Sequence, residues 1–349
     1  MGRNLVHNGA MQVAQRGASV AGITAGGYFT ADRWAVNLAT LGTWTQSVEN
    51  DAPTGSGFRK SFKMLVTTAD AAPAAGDFAF FQHRLEGQDL QRICKGTANA
   101  KPLTLSFWTK ANVTGTHTVW LYDADNGRSV SAAYTVSASA TWEQKTITFP
   151  ADTTGVFDND NVDSLWVMFM LAAGSNHTSG TLGTTWAADV VANRAVGQVN
   201  VAAATNNFWS VTGIQLETGS VATPFEFRSY GDELRTCQRY YETSYAVGVA
   251  AGTNTGIGCL VHGGGTDSGG NLMTTIRFVT PKRSTTYTPV AYALAGTANV
   301  WNYERTGSVS TVTASMDRQT ETSFRIFIGI TTTYTAALMY GHWVVSADL

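Results

Sequence analysis

Residues 208–242 read FWSVTGIQLETGSVATPFEFRSYGDELRTCQRYYE, and the chain changes character in the middle of them. The first half alternates. Trp209, Val211, Gly213 and Gln215 fall on one face and Phe208, Ser210, Thr212, Ile214 and Leu216 on the other, although the apolar residues do not all share a side. A period of two is the signature of a strand. Gly219 and Pro224 then break the pattern. In the second half Asp232 and Glu233 precede Leu234, Cys237 and Tyr241. Acids in a first turn followed by apolar groups three and four apart predict a short helix. One domain, 1–230, closes here; a helical connector, 231–241, follows; a second domain, 242–349, begins.

Upstream of this stretch helical periodicity is nearly absent. Short alternating runs recur between clusters of Gly, Asn, Asp and Thr, and strands are predicted over 62–68, 78–87, 103–112, 117–123, 131–138, 143–150 and 165–173. DADNGR (123–128) lies between two of them as a hairpin turn, with Asn-Gly supplying the positive φ angles. Downstream, strands are predicted over 241–250, 272–281, 286–293, 309–316, 323–330 and 334–346, and the Gly- and Thr-rich 252–271 is a loop region around one short strand. Many short antiparallel strands with no repeat of 20–50 residues argue for sandwiches, not a solenoid or propeller. The expected fold is all-β: two β-sandwich (jelly-roll-like) domains joined by a short helix.

Composition narrows the function. Of 349 residues 44% are hydrophobic and only 14% charged, against about 25% charged in average soluble chains, so Thr, Ser, Asn, Gln and Gly must make the polar surface. That suits a β-rich extracellular or virion protein better than a helical enzyme. The net charge of −2 leaves no basic excess for nucleic acid. No apolar run is long enough for a membrane-spanning helix. The opening MGRNLVHNGAMQVAQRG lacks the apolar core of a signal peptide, which predicts assembly in a cytoplasm. Cys94, Cys237 and Cys259 have no disulfide or zinc spacing and read as buried free thiols.

The chain contains no G-x-S-x-G, H-E-x-x-H or Walker loop, and its six histidines are scattered, so neither a catalytic residue nor a metal ligand or cofactor is assigned. Asp123 and Asp125, and Asp158 and Asp160, are close enough in sequence to suggest a calcium or glycosidase pair, but they sit among turn residues and read first as turn caps. Aromatic faces carry more. Leu103, Leu105 and Phe107 share one face of their strand, with Thr104, Ser106 and Trp108 on the other; Val119 and Leu121 oppose Trp120 and Tyr122. An aromatic face edged by hydroxyls stacks sugar rings, and Gln82 and Arg84 could bind their hydroxyls. The same rings could instead pack against a loop or a neighbouring chain. In the second domain Asp267, Trp301, Tyr303 and Arg305 form a further candidate sugar site, unless WNYE is an ordinary strand with its rings in the core.

The opening stretch, with NLVHNGAMQVAQRG (4–17), GGYFTADRW (26–34), QHRLEGQDLQRI (82–93), LTLSFWTKAN (103–112) and TWEQKTITFPADTTG (141–155), resembles the fibre and spike proteins of tailed phages and gene transfer agents that carry a carbohydrate-binding-module-like β-sandwich. The pieces occur in the family's order across residues 4–241. TTIRFVTPKRSTTYTPV (274–290) resembles a distal fibre strand and turn, with Lys282 where Met is usual. The resemblance implies a non-enzymatic virion protein, a homotrimer made in the host cytoplasm. Its partners would be other virion structural proteins and a bacterial surface polysaccharide, bound for host adsorption, with no nucleic acid and no membrane insertion. The alternatives are a purely structural fibre or capsid decoration protein, and an accessory module of a polysaccharide depolymerase.

Overall fold

The computed structural model describes residues 2–330 and 336–349. The chain forms two compact units: Met1–Ala14, Ala18–Ser229 and Leu349 in the first, Gln15–Gly17 and Tyr230–Asp348 in the second. Both are all-β sandwich-like units, as the alternation predicts.

The first unit stacks two six-stranded antiparallel sheets. One runs β1 (Ser19–Ile23), β3 (Thr43–Glu49), β4 (Ser61–Thr68), β12 (Phe208–Thr218), β6 (Leu103–Ala111), β9 (Glu143–Phe149). The other runs β11 (Ala187–Ala188), β8 (Arg128–Val136), β7 (Gly115–Asp123), β10 (Asp163–Ala173), β5 (Phe78–Glu86), β2 (Trp34–Ala39). Between them lies one core of alternating residues, including Leu105, Phe107, Val119, Leu121, Phe81, Phe169 and Trp209. Phe62 stacks on Phe81 at 3.9 Å and Phe107 meets Phe169 edge-on at 5.1 Å. Strands β1, β2 and β3 are not among those predicted from the sequence; β1 and β3 carry at most two apolar residues per face, whereas β2 alternates Trp34, Val36 and Leu38 inward but is only six residues long.

The uneven alternation in 208–218 has a structural cause. Trp209 and Val211 enter the core, but so do Ile214 and Leu216. The register of β12 against β6 slips between Thr212 and Gln215. Such a bulge moves every later side chain to the other face. Gly213 sits in it with φ 62°, a conformation that side chains resist. Beyond the bulge the N-terminal segment joins β12: Leu5 N–H donates to the Leu216 carbonyl at 2.8 Å, Ile214 N–H to the Gly9 carbonyl at 2.9 Å, and Asn4 Nδ2 to the Ile214 carbonyl at 3.0 Å. The first and last motifs of the domain thus form one hydrogen-bonded element.

The 123–128 turn closes the β7–β8 hairpin, with Gly127 at φ 62°. Asn126 does not share the positive φ expected of it; its amide instead donates to the Asp123 carboxylate and the Val156 carbonyl. Asp123 is buried, and Lys95 Nζ reaches it at 2.5 Å, Asp152 at 3.0 Å, and the carbonyls of Thr154 and Gly155 at 2.9 Å each. Asp160 accepts from Val162 N–H and caps its own turn, as expected, whereas Asp125 accepts from Asp158 N–H and ties together two loops distant in sequence. No disulfide forms among the described residues; Cys237 is buried, but Cys94 and Cys259 are half-buried, which corrects the expectation for those two.

The second unit opens with helix α2 (Tyr230–Gln238), whose first turn carries Asp232 and Glu233; α1 is a single turn, Ser175–Thr178, in the first unit. The strands are β13 (Tyr241–Thr243), β14 (Leu260–Gly264), β15 (Asn271–Arg277), β16 (Thr288–Tyr292), β17 (Val300–Arg305), β18 (Ser308–Thr320), β19 (Ser323–Gly329) and β20 (Ala337–Ser346). The ladder runs β13-β20-β17-β18-β19-β15, with β14 and β16 also on β20. The first half of β20 pairs β14 and β17, its second half β13 and β16, so this one strand carries four neighbours around a core of Trp301, Phe324, Ile326, Ile328, Met339 and Val345. The strand predicted over 241–250 stops at Thr243. Of the run 334–346, residues 334 and 335 lie outside the described residues.

Candidate functional site

The two aromatic faces read from the sequence lie on opposite sides of the first unit. Trp108 belongs to β6 in one sheet, whereas Trp120, Tyr122, Gln82 and Arg84 belong to β7 and β5 in the other. They do not form one platform.

On the second sheet, Gln82 and Trp120 both pair with Met168, and Arg84 and Tyr122 both pair with Trp166. The first row is covered. Trp120 is 3% exposed and packs with Phe80, Met168, Met170 and Ala195, while Arg194 lies over its ring at 4.1 Å. Gln82 is also buried. The connection between β10 and β12 supplies this cover, which local sequence could not reveal. Trp120 and Gln82 are therefore packing residues, and their assignment to a sugar platform is corrected. In the second row Tyr122 is half-buried against Trp166 at 5.2 Å, and the Arg84 guanidinium sits 4.0 Å over Trp166 and 3.4 Å from Asp163. Arg84 is thus committed to an aromatic ring and a carboxylate.

The distal candidates separate too. Trp301 is fully buried and donates from Nε1 to the His342 carbonyl at 2.8 Å, so it is a core residue and is withdrawn as a sugar contact. Tyr303 packs against the same core. Arg305 is exposed at the end of β17. Asp267 is exposed, accepts from the N–H groups of Gly269 and Asn271 at 2.9 and 2.8 Å, and caps its own turn. Its carboxylate is thereby committed to the turn ahead of β15.

Trp108 has a different setting. It is half-buried on the outer face of its sheet, paired with Gln144 on β9 and Thr212 on β12. A groove of about 410 Å³ opens beside it, walled by Phe58, Phe225 and Phe227 and edged by Ser106, Gln144 and Thr223. The three phenylalanines form a mutual cluster with ring centres 4.9–5.2 Å apart. Phe227 is 52% exposed, whereas Phe58 is buried. Phe58 lies on the bulge at Gly213, where any Cβ would strike its ring.

The segment 219–228 crosses this face as a strap, and its anchoring fixes the aromatic wall. Buried Gln215 and Glu217 face outward because of the bulge. Glu217 accepts from Thr223 N–H at 2.9 Å and Thr223 Oγ1 at 2.6 Å, and Glu226 N–H donates to Gln215 Oε1 at 2.8 Å. Burial pushes the Glu226 carboxyl up, but the N–H groups of Arg3 and Asn4 and the nearby Arg228 hold it below its ordinary value. With Glu226 tied down at the chain's start, Phe225 and Phe227 meet Phe58 together. Alternation in PFEFR (224–228), aromatic on one side and charged on the other, was the available signal for these residues, and the break at Pro224 obscured it.

Two polar groups of the groove are uncommitted. The Ser106 hydroxyl and the exposed Gln144 amide make no hydrogen bond among the described residues. Aromatic faces meet the CH side of a sugar ring, and uncommitted hydroxyl and amide groups meet its hydroxyls. Among the described residues no carboxylate lines the groove.

No protein-family model and no curated protein sequence matches the chain. Among solved structures it is similar to the enzymatically active domain of tailspike protein 4 of bacteriophage CBA120, with TM-score 0.33 and 13% identity over 62% of this chain and 21% of that one. It is also similar to a family 11 carbohydrate-binding module from Clostridium thermocellum in complex with a β-1,3-1,4-mixed-linked tetrasaccharide, at 0.30 and 11% over 59% and 99%. The tandem CBM22-1–CBM22-2 domain of Paenibacillus barcinonensis Xyn10C aligns at 0.30 and 10% over 99% and 96%. At these values no residue of this chain is paired with a binding residue of those proteins, and the sandwich assignment follows from the ladders and cores themselves.

Proposed function

We propose that the chain is a non-enzymatic glycan-binding protein whose first unit takes a polysaccharide into the groove beside Trp108 and Phe227. The observation that carries this reading is the pairing of exposed aromatic surface with the uncommitted Ser106 hydroxyl and Gln144 amide in one groove. The ordered motifs from NLVHNG to RTCQRYY support a finer statement. The glycan is a bacterial surface polysaccharide, and the chain is a homotrimeric fibre or spike of a tailed-phage or gene-transfer-agent particle, used for host adsorption. Three chains per spike would multiply weak single sites by avidity. The test is a glycan array probed with the whole protein and with Phe227→Ala. Binding by the first and loss by the second support the reading. Binding by neither would leave a structural fibre or decoration protein, and reducing ends released from host capsule would make it a depolymerase component.

A further inference from the structure

A second cavity, of about 450 Å³, adjoins the same loop. It is formed by the connection between β3 and β4 and lined by Asn50, Pro53, Thr54, Phe58 and Arg59 among others. Phe58 is common to this cavity and to the groove. The two differ in charge. The groove has no charged lining residue, and Arg59 is the one charged residue lining the second cavity.

Arg59 is also unusual among the arginines of the first unit. Arg3, Arg33, Arg92 and Arg228 donate to backbone carbonyls, and Arg84, Arg128 and Arg194 pair with Asp163, Asp152 and Asp189. Arg59 is exposed and has neither a hydrogen bond nor an ion pair among the described residues. The backbone that carries it is folded on itself. Ser56 Oγ donates to the Pro53 carbonyl at 2.6 Å and accepts from Phe58 N–H at 3.3 Å. Gly57, at φ 87°, leaves room for the Phe227 ring. A guanidinium is a planar fork of donors matched to carboxylate and phosphate, and Arg59 directly follows Phe58, the residue its cavity shares with the aromatic groove.

We propose that the ligand of the groove is an acidic polysaccharide, with a ring on the aromatic wall and a carboxylate, or another anionic substituent, on Arg59. This rests on the glycan-binding reading above and adds the charge of the substrate. The test is titration calorimetry on the full chain, at 50 and 300 mM NaCl, with the best-binding oligosaccharides from a panel of neutral and uronate-, pyruvate- or phosphate-bearing bacterial glycans. Each anionic hit is compared with its methyl-esterified or dephosphorylated form. The anionic form is expected to bind about fivefold tighter or more at low salt, the size of one partly exposed charge-assisted pair. Arg59→Gln should remove that preference with no change in melting temperature, and Phe227→Ala should weaken both forms. Hits that are neutral, or a preference that survives Arg59→Gln, overturn the inference and leave the groove reading standing. A panel without hits, or binding indifferent to Phe227→Ala, overturns the groove reading and this inference with it.

Discussion

Trp120 and Phe227 are large aromatic side chains of the same unit, yet they predict opposite phenotypes. Trp120 is enclosed by Phe80, Met168, Met170 and Arg194. Trp120→Ala should cost about 3–5 kcal/mol in denaturant unfolding and leave glycan affinity intact in protein that remains folded. Phe227 is half exposed, so Phe227→Ala should cost less than about 1 kcal/mol while weakening glycan binding about three- to tenfold, the worth of one stacking contact. Equal stability losses in the two variants would contradict the assigned burial. Lys95 gives a third case. Its ammonium serves two buried carboxylates, and Lys95→Met should cost about 3–5 kcal/mol at pH 7. Burial pushes the Asp152 carboxyl up, but bonds from Arg128 and Lys95 hold it below 3.8. Its stabilising contribution is therefore complete above the ordinary value and lost as pH falls through and below it. Without Lys95 less of that contribution exists to lose. The gap in melting temperature between variant and wild type should shrink from pH 7 to pH 3; a constant gap would show that packing alone explains the loss.

At the scale of elements, the bulge in β12 and the strap 219–228 act as one device. The bulge turns Gln215 and Glu217 outward, and they hold the strap that carries Phe225 and Phe227. Gly213→Ala forces a side chain into φ 62° against the Phe58 ring. It should destabilise by about 1–2 kcal/mol or more and weaken glycan binding, although no groove ring is removed. Thr223→Val deletes the 2.6 Å bond from its hydroxyl to Glu217 and should loosen the strap. Amide exchange of residues 219–228 is expected to speed up while exchange in β10 stays unchanged. Uniform acceleration over the whole unit would mean that the strap is not a separable element.

For the whole molecule, pH is the accessible lever. His83 is buried, accepts from His7 N–H at 3.2 Å, and is held well below 6.5 by burial first and then by Arg33 and His7. Burial also lowers His117, against the opposing bond to the Val113 carbonyl. An unfolded chain takes protons on these groups below pH 6.5 that the folded chain refuses, so stability is full above that value and falls as pH drops from 7 toward 5. Melting temperatures across that range should fall, and His83→Gln should flatten the slope; an unchanged slope would remove His83 as a cause. The division near residue 230 is testable by expressing 1–229 alone, for which one cooperative unfolding transition is expected, while a chain that fails to fold would tie the first sandwich to residues beyond it.

Alternation of polar and apolar residues determined the class of this protein: strands over 62–68, 103–112 and 165–173, a sandwich around Leu105, Phe107 and Leu121, and a short helix after Tyr230 all follow from periodicity, which is a local property. Trp108 was legible as an outward aromatic for the same reason. Which outward faces stay open was not legible, because the cover comes from segments distant in sequence. The connection after β10 buries Trp120, the turn ahead of β15 takes up the Asp267 carboxylate, and the fold of β17 sends Trp301 into a core. Conversely, only the bulge at Gly213 and the return of the strap bring Phe58, Phe225 and Phe227 to Trp108. A strand's pattern fixes which side of its own sheet a residue faces, and packing over that sheet decides whether the side meets solvent, a ligand or more protein.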